Sequence, residues 1–279
     1  MAPNAPRPAL DFNLSRAQTL PPTAEFLEQA GALGLEFEPG DTDSLGRYLG
    51  MLLAANELAN LTAITEPAKG WERHILDSLT LVAVLAELPE GAQVIDVGSG
   101  GGLPGIPLAI VCPTLKFTLL EPTGKKAAFL NQAVAALCLT NCRVVQARAE
   151  EAGQDRGVRS ASGREGGHRE RYDAVVARAV GAIPVLAELT VPFARAPAAG
   201  GPGGLIALIK GQKADAELAE AAEALRMLRA AHETTLDTPT GRVVVLSKVG
   251  PTPRDYPRRD GEPSRSPLGA GSAPRGNSR

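Results

Sequence analysis

Residues 94–105, VIDVGSGGGLPG, decide the fold. A short apolar run broken only by Asp96 passes straight into Gly98, Gly100, Gly101 and Gly102. Such a run, without polar alternation, reads as a strand buried on both faces of a parallel sheet. Glycines at its carboxyl end let the backbone approach a ligand with no Cβ in the way, and ligands of open α/β sheets sit at that end of the strands. Working outward, LKFTLLE (115–121), CRVVQA (142–147), YDAVVARA (172–179) and GLIALIK (204–210) repeat the strand pattern. Residues 125–137, 183–195 and 215–231 have helical spacing between them. HETTLD (232–237) and GRVVVLSKV (241–249) read as a final antiparallel pair. Upstream, 24–58 and 71–88 carry apolar residues three and four apart and predict N-terminal helices. Strands alternating with helices predict an α/β domain, with a mostly parallel seven-stranded sheet covered on both faces.

Composition narrows the class. Aromatics are only 4% of 279 residues, so the core must be built from Ala, Leu, Val and Ile. With 29 basic and 31 acidic residues the net charge is −2, which excludes a uniformly basic nucleic-acid coat protein but not a local basic patch. Cys112, Cys138 and Cys142 have neither CxxC nor Cys/His zinc spacing, so no metal site and no disulfide framework is expected; a reducing cytoplasm fits. No apolar run is long enough for a bilayer, and the start, MAPNAPRPALDFN, has no secretory apolar region. Three segments lack a burial pattern: an arm at 1–22, an insertion at 153–171 and a basic tail at 250–279. Each is expected to be flexible. They flank or interrupt one domain over 23–249, with helices to residue 90 and the sheet from 91.

The glycine loop admits two ligands. Gly100-x-Gly102-x-x-Gly105 satisfies the dinucleotide pattern, but it starts late and contains Pro104, which lacks a donor for a pyrophosphate. Asp96-x-Gly98-x-Gly100-x-Gly102 instead puts an acid beside the loop, which suits the ammonium and sulfonium of S-adenosylmethionine. Glu121, at the end of the second strand, is placed to accept from both ribose hydroxyls. Ala149 and Glu150 follow the third strand, near the expected adenine edge. Arg178 ends the fourth strand and Lys210 the fifth, both facing the crevice. His74 and Asp77 are three apart on one helix face, either as a local pair or as a wall of the substrate pocket.

The blocks LTAITEPAKGWERHILDSL, VIDVGSGGGLPGIPLAIVCP, LLEPTGKKAAFLNQ, YDAVVARAV, LIALIKGQ and YPRRDGEPSRSPL, in this order, resemble the bacterial small-subunit ribosomal RNA guanine-N(7) methyltransferases (RsmG, or glucose-inhibited division protein B). The resemblance covers roughly 40–152 and 172–268. It implies a Rossmann-like class I methyltransferase fold with extra N-terminal helices, S-adenosylmethionine as cofactor, and nitrogen 7 of a guanine in 16S rRNA as acceptor (guanine 527 is the family site). By position, Gly98, Leu103, Ala149, Glu150 and Arg178 would bind the cofactor, Leu103 on the resemblance alone. Nitrogen 7 bears a lone pair and no hydrogen, so no general base is needed, and Arg178 is the candidate for orienting cofactor or base. Lys125, Lys126, Lys210, Arg254, Arg258 and Arg259 would contact RNA. The implied partner is 16S rRNA or the small ribosomal subunit, met by a cytoplasmic monomer without a metal or a membrane. The alternatives are methylation of another RNA, a non-catalytic module docking on RNA or the ribosome, and an NAD-dependent oxidoreductase using the shifted glycine frame.

Overall fold

The computed structural model describes residues 10–160, 163–178, 181–198 and 201–269. Its chain order is α1 (Ala24–Ala32), α2 (Asp41–Ala59), α3 (Pro67–Gly70), a π-helical turn (Trp71–Leu76), α4 (Asp77–Leu79), α5 (Val82–Leu85), β1 (Gln93–Val97), α6 (Gly105–Val111), β2 (Lys116–Leu120), α7 (Gly124–Ala136), β3 (Cys142–Val145) and α8 (Ala149–Gln154). There follow β4 (Val158–Ser160), β5 (Gly163–Glu165), β6 (Ala174–Arg178), α9 (Ile183–Thr190), β7 (Leu205–Lys210), α10 (Ala214–Leu228), β8 (Ala230–Thr238), β9 (Gly241–Lys248) and α11 (Glu262–Arg265).

The main sheet has the order β3-β2-β1-β6-β7-β9-β8. All pairs from β3 to β7 are parallel, and β9 runs antiparallel to both neighbours, as the sequence predicts. Val94, Ile95 and Asp96 lie opposite Ala174, Val175 and Val176, so β1 and β6 end side by side. Alternate strand residues serve different layers. Ile95, Val97, Val175 and Ala177 pack towards α9 and α10, whereas Val94, Ala174 and Val176 pack against Leu81, Leu85 and Leu108 on the opposite face. A third apolar cluster joins α1, α2 and the π turn to α6 and α7 through Tyr48, Leu52, Trp71 and Phe129.

Several expectations are corrected. The arm at 1–22 is packed from residue 10 onward: Phe12 and Leu14 are buried, and Phe12 meets Phe129 edge to face at 5.6 Å. Gly46 and Gly50 of α2 make room for it, since a Cβ would fall 2.1 Å from the Leu20 carbonyl oxygen and 1.9 Å from that of Gln18. The insertion at 153–171 carries the β4–β5 hairpin and, near its end, Arg169, which is buried and donates to the carbonyls of Gly153, Thr252, Pro253 and Tyr256. Those acceptors explain why the 250–269 part of the tail is folded rather than flexible: one guanidinium satisfies four backbone oxygens at once. The helix expected over 71–88 is interrupted by the π turn and again before α5, while α6 and α8 carry no helix signal in the sequence reading. Residues 1–9, 161–162, 179–180 and 270–279, to which the arm, insertion, fourth-strand and tail assignments also extend, lie outside the described residues.

Candidate active site

The glycine loop is held from both sides. Asp96 is fully buried; its Oδ2 accepts from the Gly105 N–H at 3.0 Å, while its Oδ1 has no hydrogen-bond partner among the described residues. Burial pushes its pKa up to about 7, against the opposing pull of the Gly105 and Ser99 contacts. Glu121, also buried, accepts from the Gly100 N–H at 2.9 Å through Oε2 and from the Thr123 N–H at 2.8 Å through Oε1. Each of its oxygens keeps a second lone pair. Tyr48 of α2 donates to the Gly101 carbonyl at 2.8 Å. This arrangement weighs against a pyrophosphate. In the shifted dinucleotide frame, Gly100 donates to Glu121, Gly102 to the Ser99 carbonyl at 2.7 Å and Gly105 to Asp96, so all three glycine amides are committed.

The glycines are not equivalent. Gly98 has φ +76°, and a Cβ there would meet nothing within 4 Å. At Gly102 a Cβ would lie 2.6 Å from Ile106, and at Gly105 2.3 Å from Leu119. Packing therefore requires the later glycines, whereas Gly98 opens onto space. That space is a cavity of about 270 Å³ lined by Gly98, Leu120, Ala149, Glu150, Leu186 and Thr190 among others. It lies beyond the carboxyl ends of β1, β2 and β6, with apolar walls for a flat ring and the Glu150 carboxylate at its edge. The open cradle at Gly98 and the unpartnered oxygen of Asp96 fit an adenosine that carries positive charge. A larger cavity of about 730 Å³ lies at the amino ends of the strands, lined by Gln93, Lys116 and Asn141, away from the glycine loop.

Three expected cofactor contacts take other roles through their side chains. Leu103 is buried in the α2–α7 cluster. Glu150 reaches the cavity but also accepts from the Gly261 N–H at 3.1 Å, tying the tail to the site. Arg178 sits on the opposite face of the sheet from the cavity. Its Nη1 donates to the Arg73 carbonyl at 2.8 Å and lies 3.4 Å from Asp77 Oδ2, and its Nη2 lies 3.2 Å from His74 Nδ1. Thr240, in the β8–β9 turn, completes the cluster by donating to Asp77 Oδ1 at 2.5 Å. The π turn thus delivers Arg73 and His74 to the end of β6, as such turns often do at functional sites. The sequence singles out the His74/Asp77 spacing; nothing in it points to Thr240 as a partner of Asp77, or to Thr62, whose Oγ1 lies 2.6 Å from His74 Nε2.

The expected RNA contacts divide. Lys125 at the start of α7 and Arg254 and Arg259 in the tail are exposed, and Lys126 is half-buried. Arg148, which carries no signal in the sequence, is exposed too and pairs with Asp260 of the tail at 3.1 Å. Lys210 is not a surface cation. The side chain is buried, pairs with Glu217 at 2.7 Å and donates to the Gly181 carbonyl at 2.6 Å, because a cation at a covered strand end needs a partner. Arg258 is likewise committed inside the fold: its Nε and Nη2 grip fully buried Glu188 at 2.8 and 2.6 Å. Among the described residues no group of three or more His, Cys, Asp or Glu could hold a metal, and no helix is long and apolar enough to cross a membrane.

A mostly parallel seven-stranded sheet with a glycine loop after β1 and an acid directly after β2 defines a Rossmann-like class I methyltransferase fold, dependent on S-adenosylmethionine. The family model described as "rRNA small subunit methyltransferase G" matches residues 41–243, and the chain belongs to that family. Its relatives include the ribosomal RNA small subunit methyltransferase G of Sorangium cellulosum, 48% identical over 240 residues that span 86% of this chain and 93% of the relative. The protein of the same name from Rubrobacter xylanophilus is 38% identical over 88% of this chain and 91% of its own length. The solved structure of cofactor-bound Rv0187 from MTB covers 84% of this chain and 100% of its own at a TM-score of 0.48 and 19% identity, too loose an overlap to bear on the site.

Proposed function

We propose that this chain transfers a methyl group from S-adenosylmethionine to nitrogen 7 of a guanine in small-subunit rRNA, acting as a cytoplasmic monomer on the ribosomal subunit or its RNA. Gly98, Glu121, Ala149 and Glu150 would hold the adenosine half in the cavity, with Asp96 as the charge beneath the loop. When bound, the cofactor supplies an electrophilic methyl on a sulfonium. The acceptor nitrogen has no proton to lose, so the chain's task is alignment, and positioning alone can supply roughly 7–11 kcal/mol of the barrier. Arg178, one strand from Gly98, stands where β1 and β6 end together and is suited to fix whatever lies across that junction. The exposed cations Lys125, Arg148, Arg254 and Arg259 would meet phosphates.

The observation that carries this reading is the pairing, in a member of this family, of an open Gly98 with a crevice at adjacent strand ends. The test is incubation of the purified chain with unmodified small subunits and methyl-labelled cofactor, followed by mapping. The reading predicts one labelled N7-methylguanine in 16S rRNA; label on another atom or another RNA refutes it.

A further inference from the structure

One imidazole links the π turn to the α2–α3 connection, whose Leu61 lies against the glycine loop: a Cβ at Gly101 would fall 3.4 Å from it. Buried His74 has Arg178 Nη2 at 3.2 Å from Nδ1 and Thr62 Oγ1 at 2.6 Å from Nε2. The Arg73 carbonyl lies 3.1 Å from Nδ1 and accepts from Arg178 Nη1 at 2.8 Å, so the guanidinium and the ring share that oxygen's neighbourhood. A guanidinium can only donate. A hydrogen on Nδ1 would face it donor to donor, so Nδ1 keeps its lone pair and the ring hydrogen sits on Nε2. Burial and the Arg178 charge lower the ring's pKa to about 4, which keeps it neutral near pH 7. Nε2–H therefore donates to Thr62 Oγ1, which also accepts from the Ile64 N–H at 2.9 Å. Both lone pairs of that oxygen are used, and the hydroxyl hydrogen has no acceptor among the described residues.

We propose that Thr62 is a specificity-determining residue of the base site: its hydroxyl, oriented by His74, donates to O6 of the target guanine and leaves N7 free. The inference rests on the N7 reading above. Attack requires the N7 lone pair, so a donor placed on N7 would block the reaction, while the adjacent O6 can be held without cost to it. Methylation also leaves the purine positively charged. A guanidinium on the same edge would oppose that charge, whereas a neutral hydroxyl adds none. Arg178 has its charge answered by Asp77 and the Arg73 carbonyl, and its Nη atoms are largely taken. His74 is then a positioning residue, acting through Thr62.

The test is a cycle between enzyme and substrate. Subunits are assembled on 16S rRNA carrying, at the mapped target, either guanine or 2-aminopurine, which keeps N7 but has no O6. Wild type, Thr62→Val and Thr62→Ser are compared by kcat/KM for N7 methylation, and by calorimetric affinity for the cofactor as a check on folding. The proposal predicts that Thr62→Val loses about tenfold on guanine, the worth of one neutral hydrogen bond. It predicts under twofold loss on 2-aminopurine, Thr62→Ser close to wild type, and unchanged cofactor affinity. Equal penalties on both bases, or none on guanine, overturn it; if Thr62→Val fails to fold, Thr62→Ala replaces it in the same cycle. A wild-type enzyme that leaves guanine N7 unmethylated sinks the parent reading instead, and this one with it.

Discussion

Arg258→Ala removes a guanidinium from a carboxylate that has no access to water. Glu188 is fully buried, and its oxygens receive Arg258 Nε at 2.8 Å, Nη2 at 2.6 Å and the Arg258 backbone N–H at 2.8 Å. The substitution leaves only the backbone donor, and Arg258 also loses its bond to the Ser266 carbonyl. Breaking a buried pair on one side costs about 3–5 kcal/mol; because the Arg258 side chain is 19% exposed, the lower end applies. With a urea m-value of roughly 2–3 kcal/mol/M, the midpoint should fall by about 1 M. Hydrogen exchange should show protection lost first over 250–269, where the tail meets α9. Arg254→Ala and Arg259→Ala, both exposed, should stay within about 0.5 kcal/mol of wild type. Replacing both partners, Arg258→Met with Glu188→Gln, should recover much of the loss, since no buried charge is then left unpaired. An Arg258→Ala protein with the wild-type midpoint and wild-type protection over the tail would refute the reasoning.

Two buried groups give opposite pH dependences. Asp96 has its pKa raised to about 7 from 3.8, so stability present at low pH is lost as pH rises through that window; His74, lowered from 6.5 to about 4, loses stability as pH falls through its own. Urea midpoints should show Asp96→Asn gaining on wild type from pH 4 to 7 and His74→Gln gaining from pH 6.5 to 4; parallel curves would contradict both. Gly98→Ala should melt within about 2 kcal/mol of wild type, the cost of a side chain at positive φ, yet lose cofactor affinity at least tenfold by calorimetry. Gly102→Ala should melt lower, because its Cβ would lie 2.6 Å from Ile106. Arg259→Ala should weaken RNA binding and reduce the slope of log affinity against log salt by about 0.7–0.9 per lost phosphate. Lys210→Met should leave that slope unchanged, because its ammonium is consumed by Glu217.

Local chemistry explains what the sequence makes legible. The strands β1, β2, β6 and β7 are mostly apolar and buried, and Gly98, Glu121 and Arg178 stand at or just past the ends of three of them, so the crevice follows from reading strands alone. Gly98 and Gly102 look alike in the sequence; only the packed structure separates the one that opens a cavity from the one that admits Ile106. Arg169 and Arg258 stand in segments with little apolar content and read as solvated charge. Each is ordered by long-range acceptors, the four carbonyls around Arg169 and the carboxylate of Glu188, which no local pattern announces. Thr62 and Thr240 join His74 and Asp77 only because the α2–α3 connection and the β8–β9 turn converge there. Lys210 is the converse case: its position at a strand end is read correctly, but its partner on α10 is not visible from spacing.

A crystal structure with S-adenosylhomocysteine, the demethylated product of the cofactor, tests the central claim most directly. The account predicts adenine between Leu120, Ala149 and Leu186, the ribose at Glu121, and the sulfur at the junction of β1 and β6. The ligand in the larger cavity at the amino ends of the strands, or an empty crevice at saturating concentration, would contradict it.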